Sequence, residues 1–178
     1  DVMADLEIIA EGNASSSSIS LTSIDQSYQH LSLDCNFQDS STGARAYQYS
    51  VLINGDNNAT WDYGYSYMAL YNGGSWSNSS TYINGYVNAL MGYTTSKYQN
   101  TNQRSAIQLF FPGYSNTDFV KTWMGSSNSQ NYYADDSDTF SLGAGARQGT
   151  SAITSIELRN GGGTSTRCNY TLYGWKAA

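Results

Sequence analysis

The sequence predicts an all-β protein, a single antiparallel β-sandwich of jelly-roll type. Apolar and polar residues alternate with a period of two over short segments, and clusters of Gly, Asn and Ser separate these segments. Aromatic residues make up 14% of the 178 residues and charged residues only 12%, a composition that favours a packed β-rich core over disorder. This length fits one domain, which we place at 1–178.

The first three strands are predicted at 18–24, 30–37 and 47–53, where the alternation turns apolar side chains to one face. The third ends at Asn54-Gly55, a dipeptide that is typical of type I′ turns.

Seven further strands follow from the same alternation, at 63–71, 81–87, 106–111, 119–125, 139–146, 152–158 and 167–175. Turns are expected at 15–18 and 126–131 because Ser, Asn and Gly accumulate there. The most helix-like segment, 85–93, is short and Gly-flanked, so we expect strand or loop there.

The alternation also predicts which side chains form the core, because a shift of one residue would turn them all outward. The predicted core consists of Leu31, Leu33, Val51, Ile53, Ile107, Leu109, Ile153, Ile156 and Leu172.

The first residues look like a natural start of translation at Met3. The chain is therefore expected to be complete from Met3 to Ala178, and Asp1-Val2 to be left over from expression or processing.

The charge balance weighs against two classes of partner. Eight Lys and Arg against 14 Asp and Glu give a net charge of −6, whereas nucleic acids and anionic membranes attract basic surfaces. No apolar run approaches the length of a bilayer span. We expect neither nucleic-acid binding nor membrane insertion.

Catalytic and cofactor motifs are missing from the sequence. His30 is the only histidine and lies within a predicted strand, where a structural role is the commoner one. No nucleophile elbow, phosphate loop or dinucleotide fingerprint occurs. We therefore predict no catalytic residues, no cofactor and no enzymatic activity.

Candidate metal ligands are few. Cys35 and Cys168, even with His30, are too few for a structural zinc site. Two alternatives remain for the cysteines: a pair of buried thiols, or one disulfide. The densest acidic group, Asp135, Asp136 and Asp138, is a weak calcium candidate, and a solvated loop is the alternative.

An aromatic segment supplies the candidate binding residues. Tyr63, Tyr65 and Tyr67 alternate along one predicted strand. Aromatic rings stack on sugars and also form cores and subunit interfaces, so all three roles stay open. With their neighbours in sequence, the candidates for interface or glycan contact are Trp61, Tyr63, Tyr65, Tyr67, Trp76 and Tyr82.

Both ends of the chain resemble segments of a known family. The segments Ser16–Ile24 and Tyr28–Leu33, and near the other end Ala152–Leu158 and Tyr170–Trp175, resemble small β-rich virion structural proteins of marine and cyanobacterial phages. Tyr49–Gly55 is similar to a strand and turn of that family. The clear motifs occupy about the first 35 and last 27 residues.

The chain departs from the family pattern at three places. Gln26 stands where the family has Pro, Trp175 where it has Ile, and Val51-Leu52-Ile53 replaces the usual opening of the middle strand. These motifs are typical of core strands, so the resemblance implies no catalytic residue in this chain.

The resemblance implies a protein of the phage particle surface, made in the host cytoplasm. We expect a capsid decoration or cement protein that stabilises the head, forms a homotrimer and binds the major capsid protein or other virion proteins. The alternative is a tail-fibre or receptor-binding module that adheres to host glycan. A polysaccharide depolymerase is a third, less favoured class.

Overall fold

The computed structural model describes residues 5–16, 18–39, 48–55, 63–71, 75–82, 89–93, 105–130, 138–160 and 166–176. These ranges contain twelve β-strands and no helix, and hence no helix that could cross a membrane. The strands are β1 (Leu6–Ser16), β2 (Ser18–Leu21), β3 (His30–Asp39), β4 (Gln48–Ile53), β5 (Tyr63–Tyr71), β6 (Ser75–Tyr82), β7 (Ala89–Tyr93), β8 (Ser105–Pro112), β9 (Lys121–Gln130), β10 (Asp138–Arg147), β11 (Ile156–Asn160) and β12 (Thr166–Trp175).

The strands form two antiparallel sheets. The larger sheet has the order β1-β12-β3-β8-β9-β10-β5-β6, and the smaller has the order β2-β11-β4-β7. One cluster of buried apolar residues draws on both sheets, with Leu33 and Leu109 from the larger and Val51 and Ile156 from the smaller. The two sheets thus share a core, which confirms the predicted antiparallel β-sandwich. Its jelly-roll type stays a prediction.

The predicted core is confirmed residue by residue. All nine predicted side chains are buried, none more than 2% exposed. The strongest alternation lies in β3, where Leu31, Leu33, Cys35 and Phe37 are all buried and the residues between them are not. Alternation in the sequence reports burial here because successive strand residues point to opposite faces.

Several predicted boundaries are wrong. The strand expected at 18–24 ends at Leu21, and the one expected from 119 begins at Lys121. Of the strand expected at 81–87, β6 includes 81–82, and 83–87 lie outside the described residues.

The turn expected at 15–18 narrows, because β1 continues to Ser16 and β2 begins at Ser18. Residues 126–130 of the second expected turn belong to β9, which continues to Gln130 and pairs with β10. Pairing with neighbouring strands overrides the weak strand propensity of Ser and Asn. The strand expected from 152 begins only at Ile156.

The late start of β11 is explained by Asn54. Its φ of 57° and the φ of 63° at Gly55 match the predicted type I′ turn. The Asn54 side-chain oxygen accepts hydrogen bonds from the amides of Thr154 and Ser155, at 2.7 and 3.1 Å. Its amide nitrogen donates to the Ala152 carbonyl at 2.8 Å. The Asn54 side chain therefore takes over part of the strand pairing of this segment, and the backbone amides of Ile24 and Asn54 donate to the Thr154 and Ser155 carbonyls.

A small polar cluster fastens β1 to the end of β12. Glu7 accepts a hydrogen bond from the Tyr28 hydroxyl at 2.9 Å and forms an ion pair with Lys176 at 2.5 Å. The hydrogen bond from Lys176, with that from Tyr28, holds the pKa of Glu7 below its usual 4.5. The ring of Tyr28 lies over Gly174, where a Cβ atom would come within 2.4 Å of it.

Replacing Glu7 by Gln is expected to lower the melting temperature at neutral pH. Because the folded pKa is depressed, the carboxylate contributes stability above pH 4.5 and loses this contribution as pH falls through the folded value. The difference in melting temperature between wild type and Glu7→Gln should therefore shrink in acid. Calorimetry across this pH range measures it, with Glu11→Gln on the same strand as control. A difference that grows below pH 4.5 would contradict the cluster.

The two cysteines are buried free thiols, the first of the two alternatives. They lie on neighbouring strands, Cys35 opposite Tyr170 and Cys168 opposite Phe37. The hydrogen bond between the two thiols, followed by burial, raises the pKa of Cys35 far above its usual range. The thiolate is the reactive form of cysteine, so the raised pKa protects Cys35. Cys168 is only 1% exposed and is shielded from solvent by burial.

We expect alkylating reagents to leave both thiols intact in the folded protein at mildly alkaline pH, and to modify both after unfolding in denaturant. Mass spectrometry after iodoacetamide treatment counts the modified cysteines. Rapid modification of the native protein would show that Cys35 or Cys168 is accessible.

Candidate functional site

The outer face of the larger sheet, which points away from the core, carries the candidate site. Residues directly opposite one another on neighbouring strands share a face of the sheet, so the strand register sorts this face into rows that cross the strands. Three such rows differ sharply in chemistry.

The first row is mostly apolar, and we call it the apolar row. Ile8 and Met124 are more than half exposed, at 59% and 53%. Tyr173 and Phe110 are half-buried between them. In the order of the strands from β1 to β10, the row consists of Ile8, Tyr173, Ser32, Phe110, Met124 and Ala144.

The second row lies two residues further along each strand, or three on β1, where the register shifts between Ile8 and Ala10, and it carries hydrogen-bonding groups. This polar row crosses from β1 to β9 as Glu11, Thr171, Asp34, Gln108 and Ser126. Each of these side chains is exposed or half-buried. The separation of the two rows is about 7 Å, the rise of two strand residues.

A third row continues the polar character with side-chain amides. Asn13, Asn169 and Asn36 are successive neighbours on β1, β12 and β3, and all three are exposed. Asn128 occupies the corresponding position on β9, where its side chain accepts a hydrogen bond from the Ala106 amide at 3.0 Å. Apolar, polar and amide rows therefore lie side by side.

An aromatic cluster joins Phe110 of the apolar row to Trp175 and His30, which lie two residues beyond that row on β12 and β3. The ring of Phe110 meets Trp175 edge-on at 6.4 Å between centroids, and the ring of His30 lies tilted at 5.5 Å from that of Phe110. The Trp175 indole donates to the Ser32 hydroxyl at 2.8 Å. His30 Nδ1 accepts a hydrogen bond from the Gly113 amide at 2.9 Å, which is the structural role predicted for this residue.

The rows border a groove of about 1030 Å³ on the sheet surface. This volume is at the upper end of the range for small-molecule sites. Its lining includes Phe110, Met124 and Trp175 from the apolar side and Asp34, Gln108 and Ser126 from the polar side. A second groove of about 360 Å³ adjoins it, shares those three polar residues and reaches Asn36 and Asn128.

The charge of the larger groove is slightly negative. Among the described residues that line it, Asp34 is the one acidic side chain and none is Lys or Arg. An anionic ligand would meet a carboxylate with no cation beside it, so the groove disfavours phosphate, sulfate and carboxylate groups.

The backbone register divides the aromatic candidates predicted from the sequence. Tyr63, Tyr65 and Tyr67 stand opposite Arg147, Gly145 and Gly143. Gly145 in turn stands opposite the buried Trp123, so this row belongs to the core-facing side of the sheet.

The remaining aromatic candidates have other positions. Trp76 stands opposite Leu70, which stands opposite the exposed Phe140 of the outer face. Tyr82 stands opposite Gly64 on β5. Trp61 lies outside the described residues. The roles of all six candidates in contact with a glycan or a subunit stay predictions.

The acidic candidates are not tested by the structure. Asp135 and Asp136 lie outside the described residues, and Asp138 is the first residue of β10, opposite Gln130. Among the described residues, no three His, Cys, Asp or Glu side chains are grouped closely enough to hold a metal ion.

The aromatic side chains that line the groove were not among the binding candidates predicted from the sequence. Phe110 lies between Leu109 and Phe111, in the phase of β8 that faces away from the core. Tyr173 and Trp175 likewise lie in the phase of β12 opposite to that of the buried Leu172. Aromatic residues in the polar phase of a strand are the signal that could have found them.

Comparisons with known proteins give no family. No protein-family model and no curated protein matches the chain. Solved structures match only weakly. One is the CBM22-1 xylan-binding domain of Paenibacillus barcinonensis Xyn10C, at 9% identity and a TM-score of 0.31 over 99% of this chain and 83% of that domain.

Two glycosidases also match. An engineered GH43 glycoside hydrolase with endo-xylanase and exo-arabinofuranosidase activity has 8% identity and a TM-score of 0.38 over 84% of this chain. The exo-inulinase of Aspergillus awamori has 9% identity and a TM-score of 0.36 over 98% of it. The matches cover only 29% and 30% of the two enzymes. TM-scores this low assign neither family nor activity.

Proposed function

We propose that the protein is a non-catalytic adhesion module that binds uncharged carbohydrate on the outer face of its larger sheet. The observation that carries the proposal is the apolar row beside the polar row in one groove. A sugar ring has an apolar face and an edge of hydroxyl groups, so it matches both rows at once. This is the receptor-binding alternative of the sequence analysis, placed on a different set of residues.

The apolar contribution comes from the aromatic rings. Phe110 and Tyr173 offer half-exposed rings to which the apolar face of a sugar can pack. The contacts of Phe110 with Trp175 and His30 hold its ring in place before a ligand arrives. A ring that is already ordered loses little conformational entropy on binding.

The polar contribution comes from the neighbouring row. The Asp34 carboxylate accepts hydrogen bonds from hydroxyl groups, and hydrogen bonds to a charged acceptor are the stronger ones. Gln108 provides both a donor and an acceptor at the next strand. Together these groups would select a ligand with several hydroxyls on one edge.

The absence of hydrolysis is part of the proposal. Glycoside hydrolases usually place two carboxylates across the scissile bond. The described lining of the groove contains the single carboxylate of Asp34. Release of reducing sugar from a polysaccharide by the purified protein would overturn this part.

Binding to an array of neutral and anionic glycans tests the proposal. Phe110→Ala and Gln108→Ala should each weaken binding to a neutral glycan by about tenfold or more, the loss of one good contact. Phe119→Ala is the matched control, since Phe119 is 69% exposed and does not line the groove. Equal binding by all three variants, or binding of anionic glycans alone, would contradict the site.

A second candidate is the phage-particle role expected from the resemblance, in which the protein decorates the head as a trimer. The observation in its favour is the aliphatic part of the outer face, because Ile8, Met124 and Leu142 are each more than 40% exposed. Exposed apolar patches often mark protein interfaces.

Light scattering and binding to capsids test the second candidate. A trimer that loses its association with capsids on Met124→Ser would support it. A monomer at high concentration with no affinity for capsids would overturn it.

A further inference from the structure

We infer that the groove takes an internal stretch of an extended, uncharged polysaccharide that lies across the strands, rather than a short terminal sugar. This inference rests on the proposed carbohydrate function and names the ligand class of the same site. It follows from the length, direction and composition of the two rows.

The groove is long in one direction. Its lining reaches from Leu6 on β1 to Leu142 on β10, and these strands are the first six of the larger sheet. At the usual spacing of neighbouring strands, six strands extend over about 24 Å. A single sugar ring or a disaccharide would leave much of this surface uncovered.

The rows keep their chemistry from β12 to β9, with Ser32 on β3 as the polar member of the apolar row, and on β10 the polar row meets Leu142. On the apolar side, Tyr173, Phe110 and Met124 belong to β12, β8 and β9. On the polar side, Thr171, Asp34, Gln108 and Ser126 belong to β12, β3, β8 and β9. A ligand that fits both rows must repeat one apolar side and one hydroxylated edge over several strands, and a polysaccharide chain has this repeat.

The charge on the rows restricts the chain further. Asp34 lies in the middle of the polar row, and Glu11 lies at its β1 end. Neither the described groove lining nor these two rows contain Lys or Arg. A polyuronic or sulfated chain would repeat its negative charge along both carboxylates, so an uncharged chain is the class that fits.

Calorimetric titration with disaccharides and hexasaccharides of the cello-, xylo-, manno- and malto-series tests the inference. For the series that binds, the hexasaccharide should bind at least about tenfold more tightly than the disaccharide, because each added ring covers further strands. A disaccharide that binds as tightly as the hexasaccharide would overturn the inference and leave the proposed function standing. If no oligosaccharide of either length binds, the proposed function itself fails.

Variants on the second and the sixth of the six strands, towards the two ends of the groove, provide a second readout. Tyr173→Ala on β12 and Leu142→Ala on β10 should each weaken the hexasaccharide several-fold, and Phe119→Ala should not. Circular dichroism confirms that each variant is folded. A loss at only one end would show that the ligand is short, and would overturn the inference.

Discussion

Replacing Trp123 by alanine is expected to destabilise the protein by about 3–5 kcal/mol, the range for removing a large aromatic side chain from a core. Trp123 is 1% exposed and is among the largest fully buried side chains of the described residues. Its ring lies over Gly145, the residue directly opposite it on β10. Denaturant unfolding measures the change, and Thr122→Ala, an exposed neighbour, is the control.

The contact between Trp123 and Gly145 can be tested from the other side. A Cβ atom at position 145 would lie only 2.2 Å from the indole ring, so Gly145→Ala must displace the ring or the strand. We expect a loss of about 1–3 kcal/mol from overpacking. In a Trp123→Ala background the same change should cost much less, because the clashing ring is gone. Equal losses in both backgrounds would contradict the contact.

The second large effect is expected at Leu172. This side chain is 1% exposed and lies on β12, between β1 and β3 in the larger sheet. Leu172→Ala should reduce the free energy of unfolding by about 2–5 kcal/mol through lost burial and the remaining cavity. Asn169→Ala on the same strand is the matched control, because Asn169 is exposed on the opposite face.

The comparison of these two variants tests the face assignment of the whole strand. Asn169→Ala should change stability by less than about 0.5 kcal/mol, as surface substitutions usually do. If Asn169→Ala were the more damaging of the two, the register of β12 would be shifted by one residue. Denaturant unfolding of both variants would show this through the shifts of their midpoints, provided that the two m-values are equal.

The sequence was sufficient to predict nine residues of the core, and the reason is local. Leu31 and Leu33 differ from their neighbours in polarity with a period of two, and this period is fixed by the geometry of a single strand. Lys121 shows the limit of this argument. It occupies an inward position and is 1% exposed, although a lysine is expected outside.

The burial of Lys121 depends on contacts that no local pattern contains. Its ammonium group donates hydrogen bonds to the carbonyl of Asn116 and, at 2.9 Å, to that of Phe119. Burial lowers the pKa of Lys121, and the negative charge of Asp118 opposes this shift. The Lys121 ammonium group thus provides hydrogen bonds to two carbonyl groups of the loop that precedes β9.

The candidate site was only partly predictable. That Phe110 and Tyr173 face away from the core follows from their phase within β8 and β12. That they belong to the same row requires β3 between them, which pairs with β12 on one side and β8 on the other. These pairings join distant parts of the chain, and periodicity says nothing about which strands become neighbours.

The place of β12 in the sheet has a consequence for how the chain is made. β1 pairs with β12, and β12 pairs with β3, so β12 is the direct bridge between an early strand and the rest of the sheet. While the ribosome is still synthesising the segment before Thr166, β1 has no partner in this sheet, and β3 has an open edge. The nascent chain therefore carries two exposed strand edges until its residues 166–175 emerge, and it depends on slow, long-range pairing to close them.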